Sequence, residues 1–156
     1  MKKTYSLLLA LGLAASLLGC KKKDDEVPAP TKTELLTNKN WVVTAQTISP
    51  GINVGGGIVI TDIYAQTPAC SRDDIARFET PNVFKDDEGA TKCSTNDPQT
   101  VTGTWSFNTD QTVLTITESG STQSATVTTL TDASLVLTTT QVQGNVTYTL
   151  TTTFKK

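Results

Sequence analysis

The 156-residue chain contains no histidine, so the commonest general base and metal ligand is missing from the outset. A serine nucleophile would then need a lysine base, and no Ser-x-x-Lys spacing occurs. What remains for chemistry is three cysteines, Cys20, Cys70 and Cys93, and short acidic runs: Asp73-Asp74, Asp86-Asp87-Glu88 and Asp97. Paired carboxylates can hydrolyse glycosides or ligate Ca²⁺ through oxygen. Asp73, Asp74, Asp86 and Asp87 are the Ca²⁺ candidates, but they lack the spacing of a Ca²⁺ loop. The same residues read more simply as solvated loop and turn positions. A catalytic thiol would have no imidazole to activate it, and a cysteine metal site would lack a CxxC pair. "GINVGGG" (residues 51–57) has neither the lysine nor the following helix of a phosphate loop. No catalytic residue, cofactor or bound metal is expected.

Cys20 sits at a boundary in composition. Lys2 and Lys3 precede an apolar run from Leu7 to Leu18, which is too short for a spanning helix of about 20 residues. The length suits a secretory leader. Leu17-Leu18-Gly19-Cys20 resembles the bacterial lipobox, in which cleavage before the cysteine is accompanied by its lipidation. That resemblance implies a signal peptide over 1–19 and a membrane anchor at Cys20, and more than one acyl chain holds a protein stably on a bilayer. Lys21 stands where an Asp would resemble an inner-membrane retention signal. Lys23-Asp24-Asp25-Glu26 resembles a surface-export signal of Bacteroidota lipoproteins. The expected location is the outer membrane at the cell surface, with the periplasmic face as the alternative.

With Cys20 lipidated, Cys70 and Cys93 are left as a pair in an oxidising compartment, where a disulfide is expected. It would stabilise the fold by about 3 kcal/mol in the chain-entropy picture. Loss of Lys2 and Lys3 would leave 11 basic and 15 acidic side chains, a formal net charge of −4. That balance offers no basic footprint for nucleic acid.

These residues need a scaffold, and the pattern beyond the leader is β. Residues 20–33 are charged and then proline-containing, which predicts a tether. Residues 34–156 form one domain whose Thr, Val and Ile content favours strands. Val101, Gly103, Trp105 and Phe107 alternate with hydroxylated residues, Asn108–Gln111 turns the chain, and Leu114 and Ile116 resume the apolar face. Ile75–Glu79 and Val83–Asp86 flank Pro81-Asn82 as a second hairpin. Val146, Tyr148, Leu150 and Phe154 mark one face of a last strand, after another over 134–140. Strands near 41–48 and 57–64 would be divided by a glycine-rich loop. Eight or nine short strands predict a single antiparallel up-and-down barrel, with a β-sandwich as the alternative.

The succession of an early Trp strand, "CSRDDIARFETPNVFKDDEGATKC" and "GTWSFNTDQTVLTI" is similar to the lipocalin-like domain of Bacteroidota lipoproteins. The likeness covers about residues 34–154, its most specific part running from Cys70 to Trp105. Asn38-Lys39-Asn40-Trp41 departs from the Gly-x-Trp common in lipocalin first strands. The resemblance implies a small lipid-anchored barrel whose interior takes a small apolar ligand. Trp41, Phe78, Trp105, Phe107 and Tyr148 are the pocket candidates, and plain core packing is the competing role for each. A non-enzymatic, monomeric binding protein is expected. The alternative is a surface interaction protein with a filled barrel, which would hold a glycan or protein partner through rim loops 49–57 or 86–97.

Overall fold

The structure is a computed structural model that describes residues 28–156. The leader, Cys20 and most of the tether lie outside the described residues. The chain enters through a one-turn helix, α1 (Lys32–Leu36), started by a reciprocal capping box between Thr31 and Glu34. Nine strands follow: β1 (Asn40–Gly55), β2 (Ile58–Asp62), β3 (Ile75–Glu79), β4 (Val83–Asp87), β5 (Thr100–Phe107), β6 (Val113–Glu118), β7 (Ser121–Leu130), β8 (Ser134–Gln143) and β9 (Val146–Lys155).

All pairings are antiparallel, and β3 to β9 follow one another around a ring that β1 closes. One flank of β1 pairs with β9 from Val42 to Ser49. Its other flank pairs first with β3 through Asn40–Val42 and then with β2 through Thr47–Gly55. The result is an eight-stranded closed barrel with β2 as an extra strand on the projecting half of β1. Closure gives every barrel strand two neighbours, which removes the open edges that an unclosed sheet would leave.

Two bulges set which residues face inward. Between Val43 and Ala45 the β1–β9 register slips by one, leaving Thr44 unmatched. The inward set therefore changes from Trp41 and Val43 to Gln46 and Ile48. Thr128 does the same in β7, between Val127 and Thr129. The predicted loop "SPGIN" is instead strand: β9 pairs with β1 only as far as Ser49, and β2 carries the ladder on through Ile52 and Asn53, the register irregularity between Thr47 and Ile52 absorbing Pro50. The chain turns only at Gly55–Gly57, all three with positive φ.

One end of the barrel is sealed. Leu36, Trp41, Phe78, Leu114 and Leu135 are essentially free of solvent there, each worth about 1.5–3 kcal/mol of burial or more. The Trp41 indole Nε1 donates to the Leu36 carbonyl at 2.8 Å, joining the helix to the wall. Asn38 takes a left-handed φ of 57°, and its N–H donates to the Phe78 carbonyl at 3.0 Å. Lys32 donates to the Gln111 carbonyl and Lys39 pairs with Asp132, so α1 is fixed to the turns that follow β5 and β7. On the outer face the threonines pair across strands: Thr115 with Ser124 at 2.8 Å and Thr117 with Thr122 at 2.9 Å.

Candidate functional site

The inward residues change character along the barrel. Nearest the sealed end they are aromatic and aliphatic. Phe78 packs on Phe84 (centroids 5.3 Å apart) and edge-on to Trp105 (5.9 Å), and Trp105 stands edge-on to Phe107 (5.6 Å). Trp105 is held by its Nε1 donating to the Glu79 carbonyl. Toward the other end the strands turn Gln46, Asp86, Glu118, Gln123, Thr139 and Thr152 onto the walls of the interior cavities, and the loop before β3 adds Asp74.

Above the aromatic floor the lumen is partly hollow, with cavities that open to solvent. One chamber of about 260 Å³ is lined by Val43, Leu114, Ile116, Leu137, Leu150 and Phe154, with Gln46, Gln123, Thr139 and Thr152 as its polar members. A second, also about 260 Å³, is bounded by Trp41, Ala76, Phe78, Phe84 and Phe154, with Ser71, Asp74 and Asp86 at its polar side. A third, about 220 Å³, lies between Phe84, Ile116, Glu118, Ser121 and Gln123. Ile116 belongs to all three, so they meet around its side chain. Each volume falls short of the roughly 300–1,000 Å³ of an ordinary ligand pocket, and the joined space around Ile116 is what suits a small organic molecule.

Gly103 helps shape this space. It faces inward on β5 opposite Phe84, and an added Cβ would strike the Thr117 carbonyl and come within 3.1 Å of the Glu118 Cβ. Only glycine lets β5 and β6 approach this closely.

The acidic residues divide into two sets. Asp73 accepts from the Ala90 and Thr91 backbone N–H groups at 2.9 Å and from the Thr91 hydroxyl at 2.6 Å. Asp87 accepts from Gly89 N–H, Gln99 and the Thr100 hydroxyl. The Thr91 hydroxyl bond to Asp73, and the Thr100 and Gln99 side chains on Asp87, hold both carboxyls below the usual range. Asp74 and Asp86 face the lumen instead. Burial, then Glu88, Asp86, Asp73 and Asp87, push Asp74 up to about 6. Burial, then Glu118, Glu88 and Asp87, push Asp86 up as well. Asp86 is itself solvent-exposed, which limits what burial does to it. Among the described residues no group of three or more Cys, Asp or Glu side chains is placed to hold a metal ion.

Cys70 and Cys93 form a disulfide with Cα atoms 5.2 Å apart. It ties the loop before β3 to the loop between β4 and β5, beside Ser71, whose hydroxyl lies 3.1 Å from the Cys93 sulfur. Of the aromatic candidates, Trp41 and Phe78 line the second chamber. Trp105 and Phe107 pack in the floor and line none of these cavities, and Tyr148 borders a separate pocket of about 130 Å³ with Ile48 and Ile52. Glu118 and Ile116 were not among the candidate site residues. Their signal was the period-two run Leu114, Ile116, Glu118, which carries a carboxylate onto the apolar face.

A closed antiparallel barrel with one sealed end and a partly hollow, mixed-polarity lumen defines the class of small up-and-down barrels built around an interior cavity. The family model of the lipocalin-like domain matches residues 37–137, and the chain belongs to that family. No curated protein and no solved structure matches the chain.

Proposed function

We propose that the protein is a non-enzymatic binding protein whose barrel takes one small, largely apolar molecule, and that a lipid on Cys20 holds it at the outer membrane. The observation that carries the ligand reading is the set of three chambers meeting at Ile116 above an aromatic floor. A barrel serving only as a platform has no need of such space, since small barrels fill their interiors with side chains. Membership of the lipocalin-like family supports the same reading. The anchor rests on the lipobox-like sequence before Cys20 and on the cysteine count, because the disulfide leaves Cys20 as the odd thiol. Surface exposure at the cell, in the manner of Bacteroidota lipoproteins, rests on Lys23–Glu26. Native mass spectrometry of gently extracted protein tests the ligand reading: a small-molecule adduct is expected, and apo masses alone would contradict it.

The alternative, a surface module that holds a partner through its rim, draws on Ile52, Val54, Ile58 and Val59, which are exposed on the β1–β2 hairpin. It predicts partner capture that is lost when residues 49–57 are altered.

A further inference from the structure

The lumen is charged on one side only. Asp86 follows Phe84 by two residues on β4 and faces Ala76 across the β3–β4 ladder, and Glu118 follows Ile116 by two on β6. Each carboxylate therefore stands one inward position beyond an apolar wall residue, and Asp74 joins them at the edge of the second chamber. Asp74 Oδ1 and Glu118 Oε1 are buried and have no hydrogen-bond partner, whereas Asp73 and Asp87 spend theirs on loop contacts. Among the described residues no lysine or arginine lines the chambers. The nearby cations are engaged elsewhere: Arg77 on Asn40, Lys85 on Glu79, and Arg72 on the Thr67 and Ala65 carbonyls and the Tyr64 ring.

We infer that the lumen takes an amphipathic cation: an apolar body seated against Phe84, Ile116 and Phe154, with a protonated amine received by Asp74, Asp86 and Glu118. The inference rests on the ligand-binding reading and names the class of ligand. Asp74 and Glu118 are half-buried and Asp86 is exposed, but a shielded carboxylate oxygen without a partner is costly, and an incoming ammonium supplies both charge and N–H donors. A metal ion does not suit the same wall, because its acidic side chains are not grouped to ligate one. A fatty acid carboxylate would meet like charge. Burial first, and then the neighbouring negative charges of Glu88, Asp86, Asp73 and Asp87, raise the pKa of Asp74, in keeping with an acidic wall.

The test compares three probes of equal size, 4-phenylbutylamine, 4-phenylbutanol and 4-phenylbutyrate. Each is titrated calorimetrically into the full chain in phosphatidylcholine nanodiscs, with empty discs as the blank. The amine is expected to bind about tenfold tighter than the alcohol, and the butyrate weakest. In the Asp74→Asn/Glu118→Gln variant the amine's advantage should fall to about twofold or less, with alcohol binding retained as the check on the fold. Alcohol or butyrate binding as tightly as the amine would overturn the cation inference and leave the ligand-binding reading standing. An amine preference that survives the double substitution would also overturn the inference. Binding of none of the three would remove both.

Discussion

The Trp41 indole N–H and the Leu36 carbonyl, 2.8 Å apart and both shut off from water, join the barrel wall to the helix that closes it. Trp41→Phe keeps most of the packing and leaves the carbonyl without its donor. The expected loss is about 1–3 kcal/mol in urea unfolding, with faster amide exchange in Lys32–Leu36. Unchanged stability would mean that the bond contributes nothing to closure.

The disulfide encloses the whole β3–β4 hairpin between Cys70 and Cys93. Replacing both cysteines with serine should cost about 3 kcal/mol and loosen residues 63–74 and 88–99 first. Thiol alkylation of the folded, oxidised protein should modify neither cysteine; modification of both would contradict the pairing.

Asp74 gives the protein a pH signature. Its folded pKa, about 6, lies above the ordinary 3.8, so the folded state holds the proton more tightly than the unfolded chain. Stability from this group is therefore fully present below pH 3.8, declines as pH rises toward 6, and stays lower above that. Asp74→Asn should melt higher than the wild type at pH 7.5 (about 1 kcal/mol after allowance for solvent screening), with the gap closing near pH 4. Amine binding should run the other way, strengthening as pH rises through 6, because Asp74 then ionises beside Asp86, Asp73, Asp87 and Glu88. A thermal melt series from pH 4 to 8 for both proteins decides the sign.

The anchor is tested by labelling. Radiolabelled palmitate should enter the wild-type chain and be absent from Cys20→Ala. Continued labelling of that variant would place the lipid elsewhere or rule out the lipobox reading.

The barrel was largely legible in the sequence because its strongest strands alternate without interruption, as from Val101 to Phe107 and from Val146 to Phe154. The Cys70–Cys93 pair followed from counting. β7 was harder to see, since Ser121–Leu130 puts only Ala125, Val127 and Leu130 against the core and breaks its own period at Thr128. The Thr44 bulge hid the inward turn of Gln46, and pairing with β2 made strand of a segment whose Pro and Gly suggested a loop. The lumen carboxylates were hidden differently. Asp73 and Asp74 are neighbours in sequence, yet one braces a loop and the other faces the cavity, a division that depends on where the loop crosses the barrel mouth.

We propose that the lumen holds a ligand, and Ile116 is where all three chambers meet. Titration with the apolar fluorophore 1-aminoanthracene should show saturable binding at one site per chain. Ile116→Trp, with its far-UV circular dichroism unchanged, should weaken that binding by about tenfold or more by filling the shared space. Absence of saturable binding in the wild type, or equal binding in the variant, would mean that the lumen is not a ligand site.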